Sequence, residues 1–430
     1  MDPLLIGLVV VSLVLVLGGY QVAFALGACS LVYLIINDFP LTLAAQELAL
    51  SLDKFTFLAI PLFMLAGMIM NAGGITERIF TFARLAVGRI PGGLGHVNVL
   101  ASLVFAGMSG SVLADVAGLG SMEIQAMRKS GYRSDFSIGI TLASSAIGPI
   151  LPPSVPMVLF GVIADVSVTG LFLGGVVPAF VIAGMLMIYV YFVGKREGYF
   201  TTAWEGWRPL AVAFVVAFPV LMTPVIIVGG MSLGIFSPTE AATATVLYAF
   251  FLAAVVYRDL PWKRVPAIFR TVAISTTKLL FVITCALLFG WVLTVGQVPQ
   301  TLANALGETF DQAWVFLLVV NITLLVLGAI IENAILLMVL GPMLIPIGES
   351  IYGLDPIHLG VVMVFNIMIG QYTPPMGLSL FIVRDITGQS LAQVSWAVFP
   401  FLLPLIAALL LVTYVPGLVL WLPRLAGFGG

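Results

Sequence analysis

Apolar runs of about 20 residues recur along the chain, separated by short polar or charged segments, and that length suits a helix crossing a bilayer. The first half begins with Leu4–Gly18 and Tyr20–Ile36, a helical pair around Gly18-Gly19. Leu41–Lys54 is a polar-faced connector carrying Glu47 and Asp53, and Phe55–Met70 crosses. Asn71–His96 is a connector with Arg78, Arg84 and Arg89. Val97–Met127 is apolar but interrupted at residues 107–111, Ser137–Ile163 is a span broken by proline, and Leu171–Val193 crosses. After Lys195, Arg196 and Arg208 the order starts again. Leu210–Gly229 and Pro238–Tyr257 form a pair, Arg258–Lys278 is a basic connector, and Leu279–Val295 crosses. Trp314–Ile345 is apolar with an interruption at Ile331-Glu332-Asn333, Leu359–Val383 is a second broken span, and Val394–Leu420 crosses last.

Two stretches stand out because they contradict their surroundings. Gly148–Ser154 and Gly370–Met376 each place a double proline (Pro152-Pro153 and Pro374-Pro375) inside a span. Proline has no N–H to donate, its ring clashes with the preceding turn, and it pushes the residue before it out of helical geometry. The helix must break there, and the freed carbonyls survive only inside protein or beside a polar cavity. A matched pair of broken spans, one per half, is the pattern of a secondary transporter's binding site.

The two halves read as an internal repeat, 1–208 and 209–430. Pro152-Pro153 maps onto Pro374-Pro375, Ser111 onto Asn333 and Phe57 onto Leu279. Charge gives the orientation, because Lys and Arg mark cytoplasmic loops. Segments 71–96 and 128–133 are basic, whereas their equivalents at 300–312 and 346–358 hold no Lys or Arg. The connector at 37–54 is mostly acidic and its equivalent at 258–278 is basic. The basic side swaps between the halves, as in an inverted-topology repeat. The pattern is consistent if 97–127 and 314–345 are re-entrant hairpins, with limbs of about 15 residues, too short to cross upright. Each half then has five crossings and a hairpin. The N-terminus starts outside, and of the 17 Lys and Arg only Lys54 and Arg424 fall outside. The expected fold is thus an all-α polytopic membrane protein with about ten transmembrane helices plus two re-entrant hairpins. Its scaffold pairs are 4–36 and 210–257, and the arms 41–54 and 258–278 join them to the hairpins and the broken helices 137–163 and 359–383.

Composition agrees: 61% of the 430 residues are hydrophobic and 8% are charged, which excludes a water-soluble globular domain. The basic residues are scattered in short loops, which gives no footing for nucleic acid. Cys29 and Cys285 lie in apolar spans and read as inert packing residues, and His96 and His358 are too far apart in sequence to suggest a metal cluster. The N-terminus lacks the basic region of a signal peptide and reads as a retained first span. Walker loop, dinucleotide fingerprint and His-Glu-x-x-His motif are all missing, so an enzyme or an ATP-driven pump is not indicated.

The first hairpin offers the Ser109 and Ser111 hydroxyls beside Gly107 and Gly110. If its tip meets the break at 148–154, exposed carbonyls and hydroxyls suit a small cation such as Na⁺, and half-helix N-termini suit a carboxylate. The plainer alternative is close packing of small residues. Asn333, equivalent to Ser111, is a candidate for contact with substrate. Glu332 is an acid at membrane depth and a functional residue by default, the plainer alternative being an acid that reaches a polar cavity or is satisfied by backbone amides. Asp115 has three readings: cation ligand, proton carrier or helix cap. Glu240, after Pro238-Thr239, reads as a first-turn acid, and Asp165 and Asp385 as solvated. Candidate substrate contacts are Ser111, Asp115, Ser154, Asn333 and Pro375.

Four motifs in order, GMSGSVLAD at 107–115, GPILPPS at 148–154, GIFSPTEAA at 234–242 and YTPPMG at 372–377, resemble those of the large membrane subunit of tripartite ATP-independent periplasmic (TRAP) transporters. The resemblance covers nearly the whole chain. It implies a Na⁺-driven, elevator-type importer of organic acids such as C4-dicarboxylates or sialic acid, with a fold similar to the divalent-anion/sodium symporters. It implies a small four-helix membrane subunit and a periplasmic binding protein as partners, and the bacterial inner membrane as location. The same architecture working alone, as a self-sufficient sodium/carboxylate symporter, is the alternative. Carried onto this chain, the resemblance assigns one Na⁺ site to Ser109, Gly110, Gly148, Leu151 and Pro153. A second falls on Gly328, Asn333, Gly370, Thr373 and Met376. The chain departs in carrying no fused small subunit and in having Glu332 where an uncharged residue or aspartate is expected.

Overall fold

A computed structural model describes residues 3–428 except 111, 200, 310, 311, 375 and 376. The side chains of 17, 51, 109, 113, 114, 117, 302, 305–309 and 378 are likewise outside the description. Helices account for all the regular structure among the described residues. The first pass runs α1 (Pro3–Leu17), α2 (Val22–Ile36), α3 (Leu41–Leu52), α4 (Ala59–Ala72), α5 (Ile75–Val87) and α6 (Gly93–Ser109). It continues with α7 (Val112–Asp115), a π-helical turn at Val116–Gly120, α8 (Ser121–Lys129), α9 (Ser134–Ser144), α10 (Val155–Ile163) and α11 (Val168–Glu197). The second pass runs α12 (Trp207–Ser232), α13 (Pro238–Phe251), α14 (Val265–Val295), α15 (Val298–Thr309) and α16 (Ala313–Gly328). It ends with α17 (Asn333–Tyr352), α18 (Pro356–Gly370), α19 (Leu378–Thr387), α20 (Leu391–Tyr414) and α21 (Gly417–Leu425). Seven segments are long and apolar enough to span a membrane, so the chain is a polytopic membrane protein.

Local chemistry explains most boundaries. Ser237 and Glu240 form a capping box at α13, as Ser390 and Gln393 do at α20, which satisfies N–H groups that the first turn leaves orphaned. Glu240 is thus the first-turn acid its position suggested. Asp385 is exposed and ion-paired with the neighbouring Arg384. Lys54, on the non-basic side, donates from Nζ to Val162 O at 2.8 Å. That carbonyl lies in the last turn of α10, where the helix dipole favours a cation.

Helix packing crosses between the halves in matched pairs. α2 packs on α14 and α13 on α4; α9 packs on α20 and α11 on α18; α10 packs on α17 and α19 on the π-turn after α7. Each first-half element therefore meets the second-half partner of its own counterpart.

The structure corrects four boundaries. The connector at 258–278 and the crossing 279–295 are one helix from Val265 onward, because nothing in Ser275–Lys278 breaks the turn. In the first half, Lys54 adopts an extended conformation between α3 and the turn that starts α4, so the arm is separate there. The last span ends at Tyr414, since Pro416 cannot continue the ladder, and α21 follows separately. The connectors at 71–96 and 300–312 contain helices α5 and α15. On α5, Ile75, Ile79 and Ala83 are buried at successive turns, an amphipathic stripe hidden by the arginines between them. The α17 limb of the second hairpin has 20 residues, more than the limb length expected above, because Pro342 and Pro346 are absorbed within it.

Candidate functional site

The first hairpin turns at Gly110, which ends α6 in the left-handed region at φ 58°. Its carbonyl accepts from Val155 N at 3.4 Å, on the far side of the first break. A Cβ built on Gly110 would lie 2.2 Å from Pro153 O, so tip and break touch where only glycine fits. Through the break, Ile147 O accepts from both Ile150 N and Leu151 N, and the Pro152-Pro153 peptide is cis. Among the described residues, no hydrogen bond reaches the carbonyls of Gly148, Leu151, Pro152 or Pro153. Ser154 is consumed by the fold: its hydroxyl donates to Pro149 O and accepts from Met157 N, capping α10, and the residue is fully buried.

The second hairpin repeats the contact. Ile330 N and Ile331 N both donate to Leu327 O as α16 unwinds. Gly328 lies against Gly370 so closely that a Cβ on Gly370 would be 2.5 Å from the Gly328 carbonyl carbon. Thr373 N returns to Gly370 O at 2.9 Å and Thr373 Oγ1 donates to Ile369 O at 3.1 Å. The Thr373 hydroxyl, like that of Ser154, is engaged by its own backbone.

Three features had gone unrecognised in the sequence, and all hold this machinery together. Asn98 on α6 donates to Thr141 Oγ1 at 2.7 Å and accepts from Ser144 Oγ on α9 at 2.7 Å. In the second half, Asn366 on α18 donates to Asn321 Oδ1 on α16 at 2.6 Å. One limb of each hairpin is thus pinned to its broken span by a buried polar joint, which is costly to leave unpaired. The third is Tyr372, fully buried, whose hydroxyl bonds Ser145 Oγ at 3.1 Å and bridges the two breaks. The available signal was isolated Asn, Ser and Tyr residues in otherwise apolar spans.

A cavity of about 280 Å³ lies between the tips. Gly110, Glu332, Asn333, Met368 and Gln371 line one side, and Met64 of α4 with Ser275 and Leu279 of α14 the other. Of the candidate residues, Gly110 and Asn333 reach it; Asn333 is buried and its Nδ2 meets Met368 Sδ at 3.5 Å. Gly148, Leu151, Pro153, Ser154, Gly328, Gly370 and Thr373 stand behind the cavity wall rather than on it. Ser111, Pro375 and Met376, and the Ser109 side chain, lie outside the described residues. Asp115 is not at the cavity. It is buried in the first hairpin within electrostatic range of Glu123. Asp115 makes no side-chain capping bond to the π-helical turn that it opens. A larger groove, about 640 Å³, lies elsewhere at Arg78, Arg208 and Asp259 between α5 and α12, and it shares no lining residue with the tips.

Cys29 and Cys285 are buried and free. His96 Nε2 contacts Pro91 O and His358 Nε2 contacts Val412 O, each at 3.1 Å. Among the described residues no group of His, Cys, Asp and Glu is placed to hold a metal through side chains. The uncommitted carbonyls of the first break are hard oxygen ligands of the kind that suits a small cation.

Comparison with known proteins gives a consistent picture. The family model described as the DctM component of the tripartite ATP-independent periplasmic transporter matches residues 9–418. The chain is 43% identical over 417 residues to the sialic acid TRAP transporter large permease protein SiaM of Vibrio cholerae serotype O1, covering 96% of this chain and 97% of that protein. It is 40% identical over 375 residues to the C4-dicarboxylate TRAP transporter large permease protein DctM of Pseudomonas aeruginosa, covering 87% and 88%. Among solved structures, the YdaH transporter of Alcanivorax borkumensis, described as having an unusual topology, superposes with a TM-score of 0.59 at 16% identity, over 84% of this chain and 86% of that one. That similarity concerns the fold alone.

Proposed function

The chain belongs to the DctM family of tripartite ATP-independent periplasmic transporters, and from that premise we propose that it is the substrate-translocating subunit of a sodium-coupled importer of an organic acid. The observation that carries this reading is the pair of tip–break contacts, Gly110 with Pro153 and Gly328 with Gly370, flanking one cavity. Sodium would be held at the first break by the carbonyls of Gly148, Leu151 and Pro153 with Gly110, and at the second by the backbone around Gly328, Gly370 and Thr373. Bound there, it would order both tips and so raise affinity for the acid between them, which couples the two fluxes.

The moving unit of an elevator would be α6–α10 with α16–α19, joined internally by the Asn98 and Asn321–Asn366 joints and across the breaks by Ser145–Tyr372. The scaffold would be α1, α2, α12 and α13, with α3 and the first turns of α14 as arms. Broad apolar faces remain open on the scaffold, including Val10, Val14, Phe24, Val212 and Val215, suited to lipid and to a small four-helix subunit. A periplasmic binding protein would deliver the carboxylate.

Proteoliposome uptake tests this. The chain with its small subunit and binding protein should accumulate a labelled organic acid only under an inward Na⁺ gradient. Uptake by the chain alone would replace this reading with that of a self-sufficient symporter, and Na⁺-independent uptake would reject the coupling.

The crossed packing and the swap of basic loops support an inverted repeat in the inner membrane with a periplasmic N-terminus. A cysteine introduced at Asp165 should then react with an impermeant reagent in intact cells, and one at Ser130 only after lysis. The reverse pattern would overturn the orientation.

A further inference from the structure

The described polar side chains that line the tip cavity are Glu332, Asn333, Gln371 and Ser275, and no cation stands among them. Glu332 sits at the N-cap position of α17, yet its side chain caps nothing, although an acid in that position usually accepts from the first turn. It is exposed into the cavity instead. Asn333, 4% exposed, has an unpartnered Oδ1, and Gln371 has an unpartnered Oε1, among the described residues. Both also line the cavity. A carboxylate and two amide carbonyl oxygens are acceptors, met only by O–H or N–H donors or by a cation. No described Lys, Arg or His lines the cavity to offset a second negative charge, and like charges repel strongly where water is scarce.

We propose that Glu332, with Asn333 and Gln371, makes this cavity selective for a monoanionic acid bearing hydroxyl or ammonium donors, and that Glu332 rejects dicarboxylates. This rests on the reading of the cavity as the organic acid's site. The substrate's single negative group would face the half-helix ends and the cation-ordered tips, with its donor groups turned toward Glu332. Selectivity arises as a difference: the site gains contacts with one acid and meets the other with repulsion.

Binding to the assembled membrane complex in Na⁺, without the binding protein, isolates this site from selection upstream. N-acetylneuraminate serves as the hydroxyl-rich monoanion and succinate as the dianion. The wild-type complex should bind N-acetylneuraminate at least tenfold more tightly than succinate. Glu332→Gln, nearly isosteric, should collapse that ratio by tenfold or more, chiefly through a gain for succinate, and Glu332→Asp should keep the preference. Equal wild-type affinities, no wild-type binding of N-acetylneuraminate, or an unchanged ratio in E332Q would each overturn the proposal. Failure of the underlying reading looks different. Leu337→Trp fills the cavity without altering its charge. If the cavity is the acid's site, L337W abolishes binding and uptake whatever the selectivity; if it is not, both survive.

Discussion

Gly110→Ala is expected to reduce Na⁺-dependent uptake by up to about a hundredfold while leaving the protein in the membrane. Two costs combine at this position. The backbone is left-handed, at φ 58°, which an L side chain adopts at a cost of roughly 1–2 kcal/mol. The new methyl would also lie 2.2 Å from Pro153 O, so the tip must retreat from the break, losing the Val155 N–Gly110 O bond at about 1 kcal/mol. The sum, about 2–3 kcal/mol, corresponds to as much as a hundredfold in the population of the closed tip. Gly131→Ala is the control, since Gly131 has φ +82° with nothing within 4 Å and carries the backbone strain alone. Uptake measured against Na⁺ concentration separates the two: G110A should weaken the apparent affinity for Na⁺ and G131A should not. Wild-type uptake in G110A would remove the tip–break contact from the mechanism.

Gly370→Ala should be nearly as damaging, for a different reason. Gly370 closes helix α18, so no left-handed strain is involved; the obstacle is Gly328 at the tip of the second hairpin. The new Cβ would lie 2.5 Å from the Gly328 carbonyl carbon and 2.6 Å from its Cα, and backbone cannot yield as a flexible side chain can. Overpacking of this kind costs about 1–3 kcal/mol, and here it separates the second tip from the second break. Uptake should fall tenfold or more, and the melting temperature of the purified protein should drop with it. The converse substitution is milder: a Cβ on Gly328 would be 3.2 Å from Gly370 Cα. The expected order is therefore G370A worse than G328A. Gly290→Ala, in open space within α14, should be harmless. Equal activity of all three variants would show that this contact is not needed.

The Asn98 and Asn321–Asn366 joints explain why these glycines matter together. Each joint fixes a hairpin limb to its broken span, so a displaced tip cannot be absorbed by the limb sliding alone. In a close-packed interior such strain passes on instead of dissipating. The Ser145–Tyr372 bond carries it from one break to the other.

Much of this was legible in the residue order because membrane folding is governed by one-dimensional rules. Span length, loop charge and the helix-breaking power of proline act on the chain locally. They located the interruptions near 145–154 and 371–377 and those inside 97–127 and 314–345. They misplaced the arm at 258–278, since a basic amphipathic segment and the crossing after it form one helix when no residue interrupts them. They left α5 and α15 as connectors, because charge masks a short apolar stripe.

Sequence alone thus determined where the helix cannot continue, since proline chemistry needs no neighbour to act. Tertiary structure alone decided which polar atoms remain for a ligand. Ser154 and Thr373 looked available but spend their hydroxyls on their own backbone, and Asp115 turns into the hairpin core rather than the cavity. Glu332, Asn333 and Gln371 are left facing a common space. Whether a polar group is free depends on partners brought near by folding, and no pattern along the chain records that.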